Sequence, residues 1–234
     1  MTGNNASNMS YDVRLKTPFT YVVAGPSQSG KTTHVFDLLK NRHVLMDKPT
    51  DYVLYYYHQW QPHFDKFEED GSVTEWINHM PTVAELRTKS EDRIDGSGTL
   101  IVIDDFMNQL TNDIADLFTV TSHANNISVI LLTQNIFAKP PVFRTISLNA
   151  RYITVFKNPR DSSQIANLAR QVAPNNSKYV VDAYKEATKE PYSYMLFDFH
   201  QSTPDMIRVR SNMMPREREK EPMKAWLPRS GVSV

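Results

Sequence analysis

One short segment restricts this chain more than any other. Residues 19–24, Phe-Thr-Tyr-Val-Val-Ala, are a β-rich apolar run that reads as a buried strand. The run meets Gly25-Pro26-Ser27-Gln28-Ser29-Gly30-Lys31-Thr32, followed by Thr33, which fits the pattern G-x-x-x-x-G-K-[ST]. Val35, Leu38 and Leu39 then recur at helical spacing. Strand, glycine loop and helix in this order form a phosphate cradle. The two glycines permit a backbone turn, and the amides of residues 27–32 can converge on an anion. The positive end of the helix adds to them. Lys31 adds a cation between β- and γ-phosphates, and the Thr32 hydroxyl is a ligand for Mg²⁺. The bland alternative is a glycine turn with an incidental lysine.

A second apolar run, Leu100-Ile101-Val102-Ile103, ends in Asp104-Asp105. Carboxylates at a buried strand end are costly without a balancing cation. Beside a phosphate cradle, Asp104 is read as part of the Mg²⁺ shell and Asp105 as the group that orients or deprotonates water. Alternatively, Asp105 caps a helix starting at Phe106. Many ATPases of this type carry Glu at the second position, so the shorter Asp is a departure. A third run, residues 127–132, leads into Thr133-Gln134-Asn135. If that strand lies beside the cradle strand, Gln134 reaches the γ-phosphate, as in additional-strand ATPases. Otherwise Gln134 opens a loop and Asn135 bonds its own backbone.

The remaining pattern alternates strands with helices. Strands are expected at 52–57 and 151–156, and a short helix at 83–89. Phe106, Met107, Leu110, Ile114, Leu117 and Phe118 share a helical face, and a helix starts at Asn158-Pro159-Arg160-Asp161. Residues 192–199 and 206–209 alternate as a hairpin. The fold class is therefore α/β: a P-loop NTPase of the additional-strand type with a central, mostly parallel sheet flanked by helices and a C-terminal β-hairpin. Residues 1–16 read as a flexible N-terminal segment, 17–215 as the ATPase domain and 216–234 as a charged, flexible tail.

Composition removes several other classes. In 234 residues there is no Cys, which excludes disulfides, Cys-based zinc sites and thiol nucleophiles. His58 and His63 lack ligand spacing. No apolar run approaches the roughly 20 residues that cross a bilayer, so no membrane partner is expected. A reducing, intracellular location is the default. Lys and Arg total 26, as do Asp and Glu, so the net charge is +0. That argues against one chain gripping nucleic acid by bulk charge, though a ring can gather a few basic residues around a pore. The acids are not followed by a D-x-x-G glycine, and no [NT]-K-x-D occurs, so ATP is preferred over GTP.

Residues 25–32, 100–105 and 132–134, in this order, resemble the FtsK/HerA superfamily. The closer resemblance is to genome-packaging ATPases of double-jelly-roll DNA viruses and of Maverick/Polinton-type elements. Residues 56–62 (Tyr-Tyr-His-Gln-Trp-Gln-Pro), 156–161 (Phe-Lys-Asn-Pro-Arg-Asp) and 208–212 (Arg-Val-Arg-Ser-Asn) fit that subgroup, and the likeness spans roughly 17–215. The resemblance implies a ring-forming homo-oligomer that translocates double-stranded DNA into a capsid, using ATP and Mg²⁺. Capsid or portal-vertex proteins would be partners, in host nucleus or cytoplasm or in association with the virion. One subunit would supply Lys31, Thr32, Asp104, Asp105 and Gln134. Its neighbour would supply an arginine, Arg144 or, second, Arg151; each can instead be an ordinary surface arginine. The loop 138–141 and Trp60 are candidates to face a pore, while the aromatic cluster of Tyr52, Tyr55, Tyr56, Tyr57, Trp60 and Phe64 reads more readily as core or interface. The alternatives are a P-loop kinase acting on a nucleotide or other small molecule, for which 90–98 is a short, acidic lid, and a nucleotide-dependent assembly scaffold.

Overall fold

The computed structural model describes residues 11–91, 98–106, 109–121, 126–137 and 141–227. Among these residues, nine strands form one sheet: β1 Thr20–Ala24, β2 Val53–Tyr57, β3 Glu75–Ile77, β4 Thr99–Asp104, β5 Ile127–Thr133, β6 Tyr152–Phe156, β7 Tyr194–Asp198, β8 Val209–Ser211 and β9 Lys224–Ala225. Their order is β3-β2-β4-β5-β1-β6-β7-β8-β9. The first six are parallel, and β7, β8 and β9 continue the sheet antiparallel. Every residue of β1, β4, β5 and β6 is buried. This is the pattern of parallel strands covered on both faces, and it explains why they read as continuous apolar runs.

Strand alternation sorts the core into two layers. Tyr21, Val23, Tyr55, Leu100, Val102, Ile130 and Leu132 pack with Val35, Phe36, Leu38 and Leu39 of α1 (Lys31–Lys40). Leu45 of the short helix α2 (Arg42–Leu45) belongs to this layer, and Phe67 of α3 (Asp65–Glu69) packs against it. Val22, Ile101, Ile103, Val129 and Leu131 face the other layer. There they meet α4 (Val83–Glu91), α5 (Asn112–Asp116), α6 (Pro141–Asn149), α7 (Ser163–Val172) and α8 (Ser177–Ala187).

Several expected boundaries move. Of the helix read from Phe106 onwards, the described α-helical part is Asn112–Asp116, which runs into a π-helical turn, Leu117–Thr121; Met107 lies outside the described residues. Asn158 does not cap a helix. Its Oδ1 accepts from the amides of Arg160 and Asp161, and Asp161 in turn accepts from Ser163, where α7 begins. Two successive side-chain turns thus delay the helix. In the hairpin, Met206 falls on a 3₁₀ turn, Asp205–Ile207, and the second strand begins at Val209.

Described residues of both flanking segments contact the sheet domain. Leu15 is buried and exchanges backbone bonds with Leu45 and Asp47. Arg210, fully buried on β8, reaches Val13 O at 3.0 Å and Asp198 Oδ2 at 2.6 Å. The charged run after Pro215 forms α9 (Pro215–Arg218), and Lys224–Ala225 pairs with β8. A carboxylate within that run ties it down: Glu217 Oε2 accepts from Tyr194 Oη at 2.7 Å and from Met214 N at 3.0 Å. Residues 228–234 lie outside the described set.

Candidate nucleotide site

The sheet order decides which strand ends meet. β5 lies between β1 and β4, with Ala24 opposite Thr133 and Ile103 opposite Leu131. The glycine loop leaves β1 on the same edge at which the acids leave β4 and Gln134 leaves β5. The first backbone bond past β1, Gly25 N to Thr133 O at 3.1 Å, joins the loop to the middle strand. The condition set for Gln134, that its strand lie beside the cradle strand, is met.

The two loop glycines serve different needs. Gly30 stands at φ 99°, a conformation that other residues rarely adopt. Gly25 is demanded by space: a Cβ there would lie 2.6 Å from Phe156 Cβ and 2.7 Å from Ser29 Oγ. Gln28 is also left-handed, at φ 61°. The loop closes on itself through Ser29 N to Pro26 O at 3.2 Å. Lys31 arches back over it, donating from Nζ to Gly25 O at 2.8 Å and Pro26 O at 2.9 Å. Burial pushes the Lys31 ammonium below the ordinary lysine value, and Asp104 and Asp105 pull it partly back. A partly desolvated cation at the start of a helix is suited to receive a polyphosphate.

Alternation along β4 places Leu100, Val102 and then Asp104 on the α1 side. There Asp104, 6% exposed, accepts from Tyr55 Oη at 2.7 Å, and Thr32 Oγ1 stands 3.4 Å from the same oxygen. Burial raises the Asp104 carboxyl above its usual value, while the Tyr55 hydroxyl, Lys31 and Thr32 lower it. A hydroxyl and a carboxylate side by side are hard oxygen donors that suit Mg²⁺, which takes one or two protein ligands and completes its shell from phosphate and water. The described residues gather no group of three or more His, Cys, Asp or Glu fit to hold a metal by themselves.

Asp105 is exposed and left-handed, at φ 64°. Asp is among the residues that tolerate this region. The turn lets buried Asp104 and buried Phe106 both point inward while Asp105 points out. Gln109 N bonds Phe106 O at 2.9 Å, and among the described residues the next α-helix starts at Asn112. Gln134 is exposed just past β5. The phase that puts Ile130 and Leu132 on the α1 side carries it towards the loop. Asn135 does bond local backbone, accepting from Phe137 N at 2.7 Å.

The two arginines part company. Arg144 is exposed on α6, between buried Phe143 and, two residues on, buried Ile146. Arg151 donates to Pro18 O at 2.8 Å, ahead of β1 and so at the sheet edge opposite the glycine loop. Residues 138–140 of the candidate pore loop lie outside the described set. The aromatic cluster is largely core: Tyr55 and Phe64 are fully buried, and Tyr55 stacks on Phe36 at 5.2 Å.

Sequence reading missed two parts of this site. Tyr55 is one of a run of tyrosines in the sequence, and only the pairing of β2 with β4 brings it to Asp104. The second is a wall supplied by the C-terminal segment. A cavity of about 770 Å³ opens from residues 28–34 to Tyr192, Arg216 and Glu217. Arg216 forms an ion pair with Asp37 of α1.

Comparison with solved structures gives the genome packaging NTPase B204 from Sulfolobus turreted icosahedral virus 2, in complex with ATP-gammaS. It matches with TM-score 0.51 and 17% identity over 83% of this chain and 96% of that one. EssC (ATPases 2 and 3) from Geobacillus thermodenitrificans matches more loosely, with TM-score 0.47 and 11% identity, over 64% of this chain and 34% of that one. Comparison with curated proteins gave no match. The family described as Poxvirus A32 protein matches residues 6–185, more than three quarters of the sequence, and the chain belongs to that family.

Proposed function

We infer that this chain is an ATPase that drives viral DNA into a capsid. The observation that carries this reading is the insertion of β5 between the glycine-loop strand and the acid strand, with Lys31, Thr32 and Asp104 converging beside it. The family and the fold shared with a genome packaging NTPase support it.

Residues 25–33 cradle the triphosphate of ATP. Lys31 exchanges its two loop carbonyls for phosphate oxygens, which converts a held cation into one that neutralises charge on transfer. Thr32 and Asp104 would hold Mg²⁺, which would supply neutralisation of phosphate charge. Asp105, outside the buried pocket, accepts a proton from the attacking water, and Gln134 orients that water against the γ-phosphate. A second subunit supplies an arginine to the transition state. Arg144 is favoured because it is exposed, whereas Arg151 is engaged with Pro18. The active form is then a homo-oligomer, a ring around duplex DNA that docks on capsid or portal-vertex proteins. Its grip on DNA goes chiefly to phosphates, as sequence-blind packaging requires.

The test is ATPase rate with and without duplex DNA, together with the mass of the assembly. The expected outcome is an oligomer stimulated by DNA and slowed at least about 100-fold by Lys31→Ala. A monomer whose hydrolysis ignores DNA would overturn the translocase reading.

A further inference from the structure

One wall of the nucleotide cavity has no part in the phosphate chemistry. After α8 the chain turns back towards the sheet, and Tyr192 precedes β7 with φ 63°. A bulky side chain in this region is strained, and such strain gathers at binding sites. Tyr192 is 70% exposed, so the fold gains little burial from it. It lies against the glycine loop: a methyl placed on Gly30 would sit 3.6 Å from Tyr192 Cβ and Cδ1, and 3.6 Å from Phe156. Across the same cavity stands Arg216, with its partner Asp37.

Sheet order gives this wall a direction. The acids lie on β4, two strands to one side of β1, and Tyr192 leads into β7, two strands to the other side. Two strand spacings are about 10 Å. A triphosphate on Lys31 and Thr32 with its γ end towards Asp104 and Asp105 therefore points its α end, and the nucleoside beyond, towards Tyr192.

We propose that Tyr192 is the platform on which the base of the bound nucleoside triphosphate stacks. The proposal rests on the nucleotide-binding reading above. A tyrosine face takes any base, because every base has a π-face, and contributes about 1–3 kcal/mol per base in stacking sites.

Calorimetric titration with a non-hydrolysable ATP analogue and with inorganic tripolyphosphate, both with Mg²⁺, separates base from phosphate. Tyr192→Ala should weaken the analogue about 10- to 100-fold and leave tripolyphosphate unchanged. Tyr192→Phe should bind both like wild type. Tyr192→Asn, which tolerates the left-handed backbone but lacks the ring, should show the same split as Ala. Retention of wild-type analogue affinity in the Ala and Asn variants, or equal loss of both ligands, overturns the platform. Wild-type protein that binds neither ligand overturns the nucleotide reading itself.

Discussion

At the residue scale, the site is governed by one buried carboxylate and what surrounds it. Asp104 is kept in place by a tyrosine hydroxyl that is itself fully buried, in an aromatic layer with Phe36, Phe64 and Trp76. A buried acceptor that loses a donor costs about 1–3 kcal/mol. Tyr55→Phe is therefore expected to lower the unfolding free energy by about that amount in urea denaturation, with the denaturant slope unchanged. The freed carboxylate oxygen also loses its orientation, so the Mg²⁺ concentration needed for half-maximal nucleotide binding should rise. An unfolding curve and a Mg²⁺ titration both identical to wild type would show that the hydroxyl holds nothing. Asp104 itself was legible as the last residue of an apolar run. Its partner was not, because Tyr55 lies 49 residues away and only the pairing of β2 with β4 joins them.

At the element scale, α1 does more than present Lys31 and Thr32. Its His34 is buried beneath β1, β6 and β7. The ring lies 4.4 Å from Tyr194 and 5.5 Å from Phe156, and Nε2 is 3.1 Å from Tyr21 Oη, which bonds Thr154 at 2.7 Å. Burial, with Arg216 nearby, pushes the imidazole down to about 3. Folding therefore holds His34 neutral while the unfolded chain takes a proton below about 6.5. The unfolded state binds more protons in that window, so stability falls as pH drops from about 6.5 towards 3, by about 1.4 kcal/mol per pH unit. Unfolding free energies measured from pH 7 to 5 should show this slope, and His34→Gln should remove it. Equal slopes in both proteins would refute the assignment. Nothing in the sequence marked His34 for this role: it sits between threonine and valine on a helix whose apolar spacing was carried by other residues. Likewise, Asn158-Pro159 looked like a helix start. The Asn side chain had a nearer use, in a turn of its own, and local hydrogen bonding took precedence over propensity.

At the scale of the whole molecule, the chain closes its nucleotide cavity with its own C-terminal segment yet leaves Arg144 outward on α6. An arginine that acts on a neighbour's nucleotide gives a specific expectation for mixed assemblies. Arg144→Ala and Lys31→Ala subunits, each inactive alone, should regain part of the ATPase rate when mixed, because some interfaces then pair an intact arginine with an intact glycine loop. No recovery, with the assembly intact by mass, would count against Arg144 acting in trans. The same logic reconciles a net charge of +0 with work on DNA. A machine that must release DNA at each step needs a weak grip per subunit, and counterion release makes that grip adjustable by few charges.

The sequence by itself determined what depends on local chemistry: the glycine loop, the buried parallel strands and the paired acids. These signals are contiguous, so spacing and composition suffice to expose them. The tertiary structure alone decided what depends on strand order. It placed β5 between β1 and β4, set Tyr55 under Asp104, brought Tyr192 and Arg216 to the cavity, and paired Glu217 of the charged run with Tyr194. For the two hydrogen-bonded pairs, Tyr55 with Asp104 and Tyr194 with Glu217, the physical reason is the same. A buried polar group is satisfied by whichever partner the sheet brings within about 3 Å, and separation along the chain says nothing about that distance.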